Sequence, residues 1–240
     1  MLFENKTFLV TGIASGLGKY LYENIPNSLG LTRGNKKEIF EEARTRKNLV
    51  ILHSAFNRER DIEDYYKYLE DNITLTEELL TLPHIKFIYF SSVDIYKDFT
   101  PYSFTKMMAE SVVCEKAKGY LVLRLSALLG NTTRKNSLLK ILEGNAVLTL
   151  SCESFFNYIL QSDILDLLKQ GTAQDKSGVY DFVSSTNVTL GEVARHYDKQ
   201  VSFGEFRYET ITGDTCGISN LNPKGHRTSL ETIEEFLNER

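Results

Sequence analysis

The chain has 240 residues, with 28 lysines and arginines against 32 aspartates and glutamates, a formal charge of −4. That length carries one domain, or one domain with a smaller lobe, around a real core, and the mild acidity excludes a global attraction to nucleic acid. Three cysteines without a C-x-x-C pair and four scattered histidines exclude a disulfide framework and supply no metal-ligand spacing, so no metal is expected.

The opening MLFENKTFLV lacks the apolar core of a signal peptide, and no stretch reaches the roughly 18 apolar residues of a membrane span. The chain therefore reads as soluble, unprocessed and cytoplasmic, with no membrane partner. Apolar runs recur at 6–12, 28–32, 48–55, 86–92 and 120–126, rich in Val, Ile, Leu, Phe and Tyr. Helix-like stretches lie between them: GKYLYENI, KKEIFEEARTR, a long one over 62–82, and SFTKMMAESVVCEKA. Strands that are apolar on both faces and alternate with helices imply α/β architecture with a parallel, doubly wound sheet. Residues 1–130 are expected to form this domain. Residues 131–240 are expected to form a small α+β lobe packed on it, some segments returning to the sheet. Its helices are expected at 136–144, 161–171, 189–197 and 229–239, the last capped by Ser229, with a strand at 178–185.

The first strand runs into VTGIASGLGKY. In such a sheet this turn meets ligands, and a helix N-terminus offers free N–H groups and partial positive charge. Gly12, Gly16 and Gly18, with Ile13, Ala14, Ser15 and Leu17 between them, fit a phosphate cradle or merely a tight turn. The second strand ends in LTRGN. An arginine there, Arg33, either favours the 2′-phosphate of NADP, where an acidic residue would favour the free hydroxyl of NAD, or is an ordinary exposed loop arginine.

FTPYSFTK carries the strongest chemical signal. Thr100 suits a helix cap and Pro101 the first helical position, so Tyr102 and Lys106, four apart, share one face. A lysine cation and a helix N-terminus both favour a phenolate, which lets Tyr102 exchange a proton with a carbonyl or alcohol. Upstream, a buried strand ends in Ser91 and Ser92, whose hydroxyls can orient a substrate oxygen or simply start a turn.

Taken together, TGIASGLG, LHSAF, DNITLTEELL, FIYFSSVDIY, YSFTK, LVLRLSALLG and FNYILQSDI resemble the short-chain dehydrogenase/reductase superfamily. More narrowly they are similar to its extended, NAD-dependent epimerase/dehydratase branch, which acts largely on nucleotide sugars. The resemblance implies a Rossmann-type fold and a nicotinamide dinucleotide, with NADP favoured over NAD on account of Arg33. It makes Tyr102 the acid/base, Lys106 the holder of the nicotinamide ribose, and Ser92, four before Tyr96, the substrate-oxygen donor. It also implies that Ser54, Ala55 and Phe56 line the cofactor, that Ser126 and Ala127 face nicotinamide and sugar, and that His53 and Asp163 are structural.

Departures narrow the reading. Only one helix fits between Arg33 and NLVILH, so the adenine pocket is expected to be trimmed. A dehydratase's Asp-Glu pair is replaced by Val93 and Asp94, which argues against dehydration and leaves Asp94 as a substrate contact, a second acid/base or a strand-end cap. Arg134, Lys135 and Arg207 are candidates to meet substrate phosphates, with surface charge the alternative for each. The leading function is thus a reductase or epimerase of a nucleotide-linked keto-sugar. Alternatives are a reductase of a small carbonyl, with Phe155, Phe156 and Tyr158 as pocket walls, or a non-catalytic dinucleotide sensor. Met107, Met108 and Val112 suggest a homodimer through the helices near 62–81 and 102–117.

Overall fold

A computed structural model describes residues 5–57, 65–97, 100–170, 172–213 and 217–239. The expected helix start at 62–64 and Cys216 lie outside them. Five strands appear where the apolar runs stand: β1 (Thr7–Thr11), β2 (Ser28–Leu31), β3 (Leu49–His53), β4 (Lys86–Ser92) and β5 (Tyr120–Leu125). A further strand, Gly178–Phe182, pairs with β5. Among the described residues these form one six-stranded sheet, every neighbouring pair parallel. In spatial order it runs from Gly178–Phe182 through β5, β4, β3 and β1 to β2.

Every residue of β3 and β4 is buried, as continuous apolar strands require. Alternate residues enter opposite cores. Ile88 and Phe90 join Leu17 and Leu21 of α1 (Gly16–Asn24) and Ile164 and Leu168 of helix Gln161–Lys169. Phe87 and Tyr89 join Ile39 and Phe40 of α2 (Lys36–Arg44) and Ala109 and Val113 of helix Pro101–Lys116. The doubly wound architecture follows from that alternation.

The chain leaves β1 toward β2 on one side and returns to β3 on the other, which opens a ligand crevice beyond the carboxyl ends of β1 and β3. Helix α2 alone joins β2 to β3, and β2 is the sheet edge. Segment 65–80 changes pitch along its length: α-helical over Tyr65–Leu69, π over Glu70–Thr74, α-helical again over Leu75–Leu80.

A third core holds the later segments together, with Leu138, Ile141, Tyr158, Leu190, Val193, Ile233 and Phe236 at its centre. Its strands come as short pairs: Ala127–Leu129 with Tyr158–Leu160, Ala146–Val147 with Val201–Ser202, and Phe155–Phe156 with Val188–Thr189. The final helix, Ser229–Asn238, is capped one residue earlier than expected. Thr228 accepts from the Glu231 amide, while the Ser229 hydroxyl donates to the Thr186 carbonyl at 2.6 Å. A serine beside a threonine leaves the cap ambiguous in sequence, and packing decides it.

Candidate active site

The glycine turn is built for close approach. Gly12 and Gly16 adopt φ values of +73° and +62°, which glycine alone adopts cheaply. A Cβ on Gly18 would lie 2.4 Å from the Thr11 carbonyl oxygen, so glycine is what lets α1 pack against the end of β1. Ser15 stands at the N-cap in extended conformation without a side-chain cap bond, leaving first-turn N–H groups for a ligand. A Cβ on Gly16 would meet nothing within 4 Å, so the turn is open there. An uncapped helix start, an open glycine and a nearby guanidinium fit a pyrophosphate.

That guanidinium is Arg134, whose Nη2 donates to the Ser15 hydroxyl at 2.5 Å. Thr132 donates to the Gly16 carbonyl at 2.8 Å. The 130–135 loop therefore folds onto the glycine turn, with Arg134 beside it. Leu17 is 5% exposed and its side chain turns into the core, so its backbone alone is available to a ligand. Ile13 packs partly on the same core, and Ala14 is exposed.

The loop after β3 is bolted to β1 by a chain of hydrogen bonds. Thr11 Oγ1 accepts from the amides of Ser54 (3.0 Å) and Ala55 (2.8 Å). With both lone pairs used, its proton goes to His53 Nδ1 at 2.9 Å. His53 Nε2–H then donates to Thr76 Oγ1, whose proton goes to the Asn72 carbonyl, each at 2.9 Å. Burial foremost, with the Lys106 charge nearby, pushes the His53 pKa down to about 3, so the imidazole is neutral and structural, as the resemblance implied. Ser54 and Ala55 consequently lie against Gly12, whose Cβ would stand 3.0 Å from the Ala55 nitrogen.

Thr100 caps helix Pro101–Lys116 as expected, its Oγ1 accepting from the Ser103 amide while Ser103 Oγ accepts from the Thr100 amide. Tyr102 and Lys106 sit on one face, and Phe56 touches both. Its ring lies 5.1 Å from that of Tyr102, edge to face, and 4.2 Å from Lys106 Nζ. Lys106 is 3% exposed, donates to the Phe90 carbonyl at 2.7 Å, and also meets the Tyr89 ring at 4.7 Å. A carbonyl and two ring faces stabilise the buried ammonium. A ligand reaching the phenol and the ammonium together must slide past or displace the Phe56 ring.

Ser92 Oγ accepts from the Asp94 amide at 3.2 Å and so caps the 3₁₀ turn Val93–Tyr96, its own proton uncommitted by that bond. Ser91 and Ser126, at the ends of β4 and β5, bury hydroxyl oxygens that have no hydrogen-bond partner among the described residues. Ala127 stands beside them, its amide bonded to the Asn157 carbonyl.

Asp94 accepts from the Tyr208 hydroxyl at 2.8 Å and pairs with Lys97 at 3.1 Å. Lys97 lies 3.2 Å from the centre of the Tyr208 ring, and that ring stacks on Phe156 at 4.5 Å. Burial foremost, then the Asp94 charge, holds the Tyr208 phenol above its ordinary range, with Tyr102 also contributing. Tyr208 thus reaches the turn after β4 from far along the chain. No local motif marks it, since it stands 114 residues from its partner.

The remaining residues singled out in the sequence are engaged within the chain. Arg33 pairs with Asp71 at 2.7 Å. Arg207 pairs with Glu209 and Lys135 with Glu143, each at 2.7 Å. Tyr158 is 2% exposed and belongs to the core. Asp163 takes Arg227 and the Leu160 amide, a structural tie as implied.

No protein-family profile and no curated protein matches the sequence. Solved structures do match in fold. A UDP-N-acetylglucosamine 4-epimerase from Methanobrevibacter ruminantium superposes with a TM-score of 0.70 at 15% identity, over 98% of this chain and 99% of that one. A dTDP-4-dehydrorhamnose reductase from Bacillus anthracis, in complex with NADP, gives 0.75 at 14% identity over 98% of each. An ADP-L-glycero-D-manno-heptose-6-epimerase from Helicobacter pylori gives 0.72 at 15% identity over 99% and 98%. From one end to the other, the chain has the fold of these epimerases and reductases, the Rossmann-type α/β fold that its ordered motifs resemble.

Proposed function

We propose that the protein is an NAD(P)-dependent oxidoreductase, a reductase or epimerase of a keto-sugar carried on a nucleotide. The observation that carries this reading is the meeting of Tyr102 and Lys106 on one helical face, beside an uncapped glycine turn at the switch point of the sheet. Similar folds bound to NADP, or to NAD with UDP-glucose, support it. The dinucleotide, when bound, supplies or accepts a hydride. The α1 N-terminus with Arg134 holds its pyrophosphate, and Ser54, Ala55 and Phe56 flank it. Tyr102 gives a proton to the carbonyl oxygen or takes one from the alcohol. Lys106 favours the phenolate and holds the ribose once Phe56 yields. Ser92 orients the substrate oxygen, and Ser126 and Ala127 border it. Asp94, committed to Tyr208 and Lys97, positions the lobe against the substrate.

The test is turnover of NADH or NADPH with a panel of UDP-, dTDP- and GDP-linked 4-keto sugars, followed by Tyr102→Phe. The variant is expected to bind dinucleotide normally and lose roughly 10²–10⁴-fold in kcat. Unchanged turnover in Tyr102→Phe sinks the assignment. The Phe56 ring over Lys106 favours one second reading, a sensor that binds dinucleotide without turnover. Tight binding with no oxidation across the panel supports it.

The same reading carries a homodimer and a cytoplasmic location. Phe104 and Met108, one helical turn apart, are 45% and 36% exposed, and Tyr66 on the neighbouring helical segment is 84% exposed, which supports pairing through these helices. Met107 and Val112 are half-buried beside them. Free Cys114 and Cys152 suit a reducing compartment.

A further inference from the structure

We infer that Asp71 selects the cofactor's free 2′-hydroxyl and so makes NAD, not NADP, the preferred dinucleotide; this rests on the dinucleotide reading above. The adenosine ribose of a dinucleotide lies beyond the end of the second strand of such a sheet. Here that strand is the sheet edge, and Arg33, just after it, meets a side chain from another element, Asp71. Asp71 comes from the π-helical stretch Glu70–Thr74, a distortion that often serves a functional site.

The acid is the fixed member of its pair with Arg33. Asn57 Nδ2 donates to Asp71 Oδ2 at 2.9 Å. Asn57 is itself clamped by Asn72, its amide donating to Asn72 Oδ1 at 2.7 Å and its carbonyl accepting from Asn72 Nδ2 at 3.2 Å. Asn72 is 1% exposed. The Arg33 side chain, by contrast, is 77% exposed against 18% for Asp71, and shares the same Oδ2 at 2.7 Å. A 2′-phosphate would therefore meet a guanidinium already neutralised and a carboxylate that cannot retreat. A 2′-hydroxyl can donate to that carboxylate.

The test is direct binding, by fluorescence titration of NADH and NADPH to the full chain, with Asp71→Asn and Arg33→Ala compared. Wild type is expected to bind NADH about tenfold tighter than NADPH. Asp71→Asn keeps an acceptor for Asn57 and is expected to shift the ratio toward NADPH by about tenfold, with an unchanged thermal midpoint. Arg33→Ala, at an exposed site, is expected to leave NADH binding within about twofold. Equal or tighter NADPH binding by wild type overturns the inference, as does an unaltered ratio in a folded Asp71→Asn. If neither dinucleotide binds, the dinucleotide reading itself fails, and the inference with it.

Discussion

The two walls of the crevice are made differently. Along β1 and β3 the wall is backbone: glycines with positive φ, a bare helix start, and amides gathered on one threonine hydroxyl. Along β4 and β5 it is side chain: Tyr102 and Lys106 from one helix, the Phe56 ring against both, and Tyr208 arriving from far along the chain to meet Asp94. A backbone wall suits the invariant part of a ligand, a pyrophosphate, because peptide dipoles can be arranged by any sequence that tolerates the turn. A side-chain wall suits the part that differs between substrates, and it can change without disturbing the sheet.

The largest expected effect breaks the backbone wall. Gly18→Ala places a methyl 2.4 Å from the Thr11 oxygen and 2.5 Å from the Gly12 oxygen, neither of which is free to move. About 3 kcal/mol of stability is expected to go, together with dinucleotide binding, read by urea unfolding and titration.

His53 sharpens the comparison through pH. Its folded pKa, about 3, lies below the ordinary 6.5, so the unfolded chain binds this proton first and stability falls as pH drops from about 6.5 toward 3. Between pH 7 and 5 this group is expected to cost about 2 kcal/mol. His53→Gln removes that share of the slope, which urea midpoints at the two pH values measure.

On the side-chain wall, Tyr208→Phe removes the bond to Asp94 while keeping the stack on Phe156. Stability is expected to fall by only about 1 kcal/mol, with KM for the keto-sugar rising more than kcat falls. A kcat loss as large as that of Tyr102→Phe would promote Tyr208 from positioning residue to proton donor. Smallest is Arg134→Ala, whose contact is exposed. It is expected to weaken dinucleotide binding about fivefold, roughly 1 kcal/mol, without moving the thermal midpoint.

Much of the site was legible because it is local. The Thr100 cap sets the start of its helix, and a spacing of four then puts Tyr102 and Lys106 on one side whatever the rest of the chain does. The glycine turn is equally local. The partners of two arginines were not legible, for the opposite reason: Arg134 meets Ser15, 119 residues away, and Arg33 meets Asp71, 38 residues on.

The sequence by itself determined the order of strands and helices, the glycine turn and the helical face bearing the phenol and the ammonium. Periodicity, capping and conformational freedom act over a few residues, and each is written where it acts. Only the tertiary structure decided that Phe56 covers Lys106, that Tyr208 braces Asp94, and that Asp71 answers Arg33. Those pairings depend on which loops the crossovers of a parallel sheet deliver to one end, and no short-range rule encodes that geometry.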